Sequence, residues 1–476
     1  MLSSATVVPP GNAFANIEPQ EIELGTIDLA NNGIRVDGIY FYENTNKSPD
    51  FMSFDTLTRS LFRVIANHYP ILVGRPTVNS NGKAAIVVNP DDLCMPDVKE
   101  VSVDQPAGSF FLHGSKTKTD PKKNAKFFDL HKFYSTSGVE RIPHATYHRN
   151  HSSVIVRVLR FKDSSYTALA YSLLHGIFDA TATVAFMSHW AEYARNIANP
   201  EYKLSFLPIH NRNVMYDRFG DIEPVELPFV KHFKDAAGTA KFDSPDDVAP
   251  ILLSTPDIPQ IAEQHLLHIS AENLERMRQE VDGTQTTAMV LTAVLTRAMV
   301  EANTMAFGVE PHTSYVAVAY DSRQRSGVPQ NFAGNASFIC IAPLSAKCVV
   351  GSSYKELAQT IKKSSMKTDS AYSKASIEII ENELGLLYHA SLSLCNSPQS
   401  SYLGFSNVRY LPFKTIDFGY GSPSILAFDY FSKEGMCRMY PNFQDGGVDL
   451  FINYTDACFS HLRKNELMAK YVDFIF

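Results

Sequence analysis

Nine consecutive residues, Tyr166–Leu174 (YTALAYSLL), are apolar on both alternating faces. A strand with one solvated face alternates apolar and polar residues, so a run with no polar face predicts a strand covered on both sides, at the centre of a sheet. The run stops at His175-Gly176-Ile177-Phe178, where Gly176 permits a tight turn. A helix is predicted from Asp179 to about Ile197, with Asp179 in the N-cap position.

Around this unit the chain divides into two halves of mixed pattern. SFDTLTRSLFRVIANHY (53–69) opens on a Ser/Asp cap and repeats Phe54, Leu57, Leu61, Val64 and Ile65 at helical spacing until Pro70 ends it. Ala84–Val88 and Ser153–Leu159 read as strands, the second through alternating Val154, Val156 and Val158. Residues 198–260 then carry eight prolines with little periodicity, the signature of a long crossover. The second half restarts with strand-like QHLLHIS and a helix at 271–280. Helices are predicted at 287–302, 353–366 and 375–390, strands at 315–320, 402–408, 425–431 and 448–454, and a last helix over roughly 461–474. Strands and helices mix in both halves, which predicts two α/β domains, 1–197 and 261–476, joined by the 198–260 crossover.

Composition narrows the function. A formal charge of −7 argues against a nucleic-acid partner, which requires a concentrated basic surface. The apolar runs, such as MVLTAVLT (289–296), fall short of a membrane span, which takes roughly 18–20 residues. The first residues show no basic start followed by an apolar core, and six scattered cysteines contain no CxxC pair. A cytoplasmic chain with reduced thiols, no zinc site and no other metal is the expectation.

His175 and Asp179 are the chemically pointed pair. A histidine at the mouth of a buried strand is held on a rigid element. Its imidazole, with an ordinary pKa near 6.5, accepts a proton from a hydroxyl or amine at neutral pH. Asp179 is placed to cap the helix or to meet a distant arginine. By itself this spacing, among 15 histidines, describes equally a core histidine beside a helix cap. DFG at 417–419 is also a kinase triplet, but no Gly-rich loop, strand lysine or HRD segment accompanies it.

Longer segments decide between these readings. IELGTIDLANNGIRVDGIYFY (22–42), RSLFRVIANHYPILVGR (59–75) and the whole block 153–195 containing HGIFD and WA resemble the BAHD acyltransferases of the chloramphenicol acetyltransferase-like superfamily. So do AYDSRQRSGVPQNFAGNAS (319–337), LGFSNVRYLPFKTIDFGYGSP (403–423) and DGGVDLFINY (445–454), in the family's order. The chain departs from the common pattern at Leu174 (often His), Ala180 (often Gly) and Tyr420 (Trp in DFGWG).

The resemblance implies two similar chloramphenicol acetyltransferase-like domains with mixed sheets and an active site in the channel between them. There an acyl group would pass from acyl-CoA to a hydroxyl or amine of a small molecule. It gives His175 the role of general base without a covalent intermediate, and Ser406, in preference to Asn407, the role of oxyanion donor. Arg323 is the implied partner of Asp179, with Arg325 as second choice, and Asp417 and Gly419 are expected to shape the nearby loop. For the CoA phosphates the candidates are Thr286 and Thr287, beside Thr284 at a helix start, together with Arg409 and Lys414. Acetyl-CoA is the simplest donor, no cofactor is bound permanently, and a channel within one chain implies a monomer. Two other readings use the same scaffold: a condensation-type domain fed by a carrier protein, and a non-catalytic binding protein.

Overall fold

The computed structural model describes residues 4–6, 13–31, 34–113, 125–140, 152–227, 229–230, 263–308, 313–395, 400–428 and 435–476, with side chains omitted at 4–6, 383–395 and 400. Tyr166–Leu174 is a strand in which every residue is buried. It lies inside a six-stranded mixed sheet ordered Ser4–Thr6, Asp97–Val103, Val154–Phe161, Tyr166–Leu174, Arg35–Glu43, Ile425–Ala427. Leu169, Tyr171 and Leu173 face one core while Ala168 and Ala170 face another, which explains why neither side of the strand is polar.

Helix Phe54–His68 forms where the spacing placed it. Ser53 accepts a hydrogen bond from the Thr56 amide (3.3 Å), Leu57, Leu61, Val64 and Ile65 are buried, and Tyr69-Pro70 ends it. It packs beside helix Ala180–Arg195 in the first core. Trp190, the chain's single tryptophan, is 1% exposed and donates to the Leu57 carbonyl (3.0 Å) and the Ser60 hydroxyl (3.1 Å).

A seven-stranded mixed sheet carries the second half, in the order Ser337–Ser345, Thr313–Asp321, Ser400–Asn407, Met436–Pro441, Val448–Tyr454, Glu263–Ile269, Asp473–Phe474. Helices Thr287–Phe307, Tyr354–Ser365 and Asp456–Leu462 cover one face and build a separate core. The second half lends a strand to the first sheet: Ile425–Ala427 pairs with Phe41, Tyr40 and Ile39. Residues 228 and 231–260 of the expected crossover lie outside the described residues. Within its first part, Ile209 bridges to Phe332.

One expected element is corrected. The last helix, read as continuous over 461–474, is two short helices, Asp456–Leu462 and Glu466–Tyr471, followed by the strand Asp473–Phe474. Asn465 accepts from the Met468 amide (3.3 Å), so a fresh N-cap interrupts the helical pattern. The strand expected over 425–431 is assigned at Ile425–Ala427, and residues 429–431 lie outside the described residues.

Candidate active site

His175 continues the central strand by one residue, its amide donating to the Ile34 carbonyl (2.9 Å). The chain then reverses, with the Ile177 and Phe178 amides both donating to the Leu174 carbonyl. Asp179 starts the helix in extended conformation (φ −79°, ψ −179°) and accepts from the Ala182 amide (2.9 Å). Its carboxylate is fully buried and also accepts from Arg323 Nη1 (2.8 Å) and Nη2 (3.2 Å), the Ala336 amide (2.9 Å) and Ser337 Oγ (3.3 Å). Burial alone would raise the Asp179 carboxyl, but the Arg323 charge and these donors outweigh it and hold the carboxyl below the usual range. Arg323 further donates to the Phe332 and Gly334 carbonyls, so the pair ties the His175 turn to the second half. Arg325 points elsewhere, to the Ser365 carbonyl (2.7 Å) and the Thr368 hydroxyl.

Asn335, not Asp179, is the partner of the imidazole. His175 Nδ1 lies 3.1 Å from Asn335 Oδ1. Asn335 Nδ2 has two acceptors, the His175 carbonyl (2.7 Å) and Asp28 Oδ1 (2.8 Å), which fixes the amide orientation. Its Oδ1 must therefore accept a proton, so Nδ1 carries the hydrogen and the Nε2 lone pair is left free. Behind Asn335, buried Asp28 pairs with buried Arg212 (3.1 Å), and Arg212 also donates to the Ile177 carbonyl (2.9 Å) inside the His175 turn. Two buried ion pairs thus brace the turn, Asp179–Arg323 and Asp28–Arg212. Asp28, Arg212 and Asn335 carried no role in the sequence reading, although Asp28 and Asn335 lie in segments quoted there.

Burial pushes the His175 pKa below 6.5. The Asp179 charge and the Asn335 hydrogen bond work against that shift, and the Arg438 charge works with it. The residue as a whole is half-buried, with its ring surrounded by protein groups.

Ser406 lies on the strand Ser400–Asn407, half-buried, with Arg438 as its register partner on Met436–Pro441. Among the described residues its hydroxyl makes no hydrogen bond. Asn407 turns its side-chain oxygen to the Arg409 amide (3.2 Å). Arg409 is half-buried, with a pKa lowered by desolvation, and forms no ion pair among the described residues. Lys414 is exposed, its Nζ 5.5 Å above the Phe443 ring.

Asp417 has a conformational task. One carboxylate oxygen accepts from the Gly419 (2.7 Å), Tyr420 (3.0 Å) and Gly421 (2.9 Å) amides. Gly419 (φ 98°) and Gly421 (φ 89°) occupy the left-handed region this turn requires. The loop seats on helix Ala180–Arg195 through Phe418 against Trp190 (5.0 Å), the Arg195 guanidinium on the Asp417 carbonyl and Thr415 on Ser188 (2.6 Å). Thr286 is the N-cap of Thr287–Phe307 and accepts from the Met289 amide (3.4 Å), while Thr284 bonds Asp282 (2.7 Å). No hydrogen bond among the described residues joins Thr286 or Thr287 to the His175 network.

Comparison with known proteins supplies the family. The profile described as Transferase family matches residues 3–467. The chain belongs to this family, the BAHD acyltransferases. It is 24% identical to a fatty alcohol:caffeoyl-CoA acyltransferase of Arabidopsis thaliana over 81% of this chain and 80% of that protein. A putrescine hydroxycinnamoyltransferase 3 of Oryza sativa subsp. japonica is 26% identical over 63% and 66% of the two chains. Among solved structures, vinorine synthase superposes with a TM-score of 0.67 at 17% identity, covering 100% of this chain and 99% of its own. TRI101 of F. sporotrichioides, complexed with coenzyme A and T-2, also scores 0.67 at 16% identity, covering 96% and 100%. The protein is therefore a BAHD acyltransferase with acyl-CoA as co-substrate, built on the two-domain chloramphenicol acetyltransferase-like fold. Among the described residues no helix is long and apolar enough to cross a membrane.

Proposed function

We propose that His175 is the general base of an acyl transfer from acyl-CoA to a hydroxyl or amine of a small molecule. A neutral alcohol is a weak nucleophile, so its proton must leave as attack begins, and an amine must lose a proton once it has attacked. In this scheme Nε2 takes the acceptor proton and the oxygen or nitrogen bonds to the thioester carbonyl carbon. The C–S bond of the resulting tetrahedral species then breaks, and the proton passes to the departing thiolate. Ser406, with an uncommitted hydroxyl, faces the forming oxyanion. Asp179, Arg323, Asp417 and Gly419 hold the frame, and Arg409, Lys414, Thr286 and Thr287 are candidates to contact CoA. Acetyl-CoA is the simplest donor. The chain acts as a cytoplasmic monomer, with domains at 1–197 and 261–476 and the crossover between them.

One observation carries the reading. Asn335 Nδ2 meets the His175 carbonyl and Asp28, which turns Asn335 Oδ1 to His175 Nδ1; this supports a hydrogen on Nδ1 and an acceptor at Nε2. The test is thiol release from a panel of acyl-CoAs with alcohol and amine acceptors, comparing wild type with His175→Ala. Wild type is expected to turn over at least one pair and the variant to lose nearly all transfer while remaining folded. Near-normal turnover by the folded variant overturns the mechanism.

A further inference from the structure

The strand Met436–Pro441 is two-faced. Cys437 and Met439 are buried in the second core, which turns Met436, Arg438 and Tyr440 the other way. Tyr440 belongs to the first core, stacked on Phe428 (3.5 Å) and edge-on to Phe451 (5.6 Å), so this face looks toward the six-stranded sheet. In the parallel neighbour Ser400–Asn407, Leu403 and Phe405 enter the second core, and Ser406 therefore shares the Arg438 face. Ser406 and Arg438 stand opposite each other in register, about 5 Å apart at the backbone. On its other side Arg438 stands opposite Phe451.

The charges around His175 are disposed accordingly. Asp179 is bound by Arg323, and Asp28, behind Asn335, is bound by Arg212. Asp179 and Asp28 each hold an arginine, and Arg438 adds positive charge on the Ser406 face of the opposite sheet, acting on His175 in the same direction as burial. Arg438 is half-buried, where a charge is screened less than at an open surface.

We propose that Arg438 is a catalytic residue that, together with Ser406, takes up the negative charge forming on the thioester carbonyl oxygen. This inference rests on His175 being the base, as argued above. As the acceptor bonds to the carbonyl carbon, the C=O π pair moves onto oxygen, and it returns when the C–S bond breaks. A fixed cation beside the Ser406 hydroxyl stabilises that oxygen without reorganising at the moment of reaction. The same cation adds to burial, the larger cause, in disfavouring protonation of His175.

The experiment compares Arg438→Met and Arg438→Lys with wild type and His175→Ala, following thiol release. Acetyl-CoA and benzoyl-CoA are the donors, with benzyl alcohol and benzylamine as acceptors. Arg438→Met is expected to lower kcat by about 10²-fold, the scale of losing one oxyanion donor, with KM for both substrates unchanged. The acid limb of its kcat/KM profile is expected to move to higher pH, because removing a nearby cation raises the His175 pKa; Arg438→Lys should leave the limb in place and recover part of kcat. A purely structural role would not move that limb. An unchanged kcat, a loss confined to KM, or a lower kcat with a fixed limb overturns the proposal. If Arg438→Met does not fold, the lysine variant decides: complete loss of kcat in folded Arg438→Lys overturns it and partial retention supports it. Equal thiol release by wild type and His175→Ala instead overturns the base assignment itself.

Discussion

Replacing Asp179 with alanine should damage the protein through its stability before its chemistry. The carboxylate and the Arg323 guanidinium are 1% and 0% exposed. Losing one member of a buried pair costs about 3–5 kcal/mol, because the remaining charge is stranded, and losing an N-cap adds about 1 kcal/mol. Arg323 keeps Asp321 at 3.1 Å, which softens the first cost, so a total of about 4 kcal/mol is expected. Against a typical margin of about 5–15 kcal/mol this is a large fraction, and soluble yield should fall. Trp190 supplies the assay. It is the only tryptophan, buried in the helix that Asp179 caps, so urea unfolding followed by its fluorescence reads the affected half directly. A loss under about 1 kcal/mol, the scale of an ordinary point substitution, would refute the bracing role of the ion pair.

Three further outcomes are expected. Ser406→Ala should reduce kcat by about 10²-fold while leaving the urea midpoint in place, since the hydroxyl holds no described partner; a matching loss of stability would contradict the oxyanion role. Asn335→Ala removes the Nδ1 acceptor and two donor contacts, so kcat should fall about 10–100-fold at an unchanged acyl-CoA KM, a loss of about 1.4–2.7 kcal/mol; full activity would show that the amide does not orient the ring. His268 tests the second half. Buried between Asp449 (2.7 Å) and Asp445 (2.9 Å), its pKa is raised to about 9, the two carboxylates outweighing burial. Burial also raises the Asp449 carboxyl, but an imidazole facing two carboxylates keeps its proton. Its contribution, about 3 kcal/mol from the shift above an ordinary 6.5, is present below pH 6.5 and lost as pH rises through 9. Wild-type melting should fall over that window, whereas His268→Gln should start lower and stay flat; parallel curves would contradict the charged ring.

Local pattern made much of this structure legible. Tyr166–Leu174 announced a central strand because nothing in it could face water, and Asp179 announced a helix start because its side chain suits a cap. Asp179 and Arg323, 144 positions apart, could be joined in advance only because the family resemblance supplied both motifs. The Asp28–Asn335 contact spans 307 positions and has no periodicity to betray it, so the group that sets the His175 tautomer emerged only in three dimensions. Ile425–Ala427 joining the first sheet is equally invisible to local pattern, because pairing partners are chosen by the fold. The break at Asn465 was readable in principle, an asparagine followed by Glu466 being a sound cap signal, but the surrounding apolar residues masked it.

The chemistry depends on a neutral ring with hydrogen on Nδ1 and none on Nε2. Selective ¹⁵N labelling of histidine, with His175→Gln to assign the signal, reports the protonation of both ring nitrogens at pH 7. A protonated Nδ1 and a bare Nε2 are expected, and an Nε2-protonated or doubly protonated ring would contradict the account.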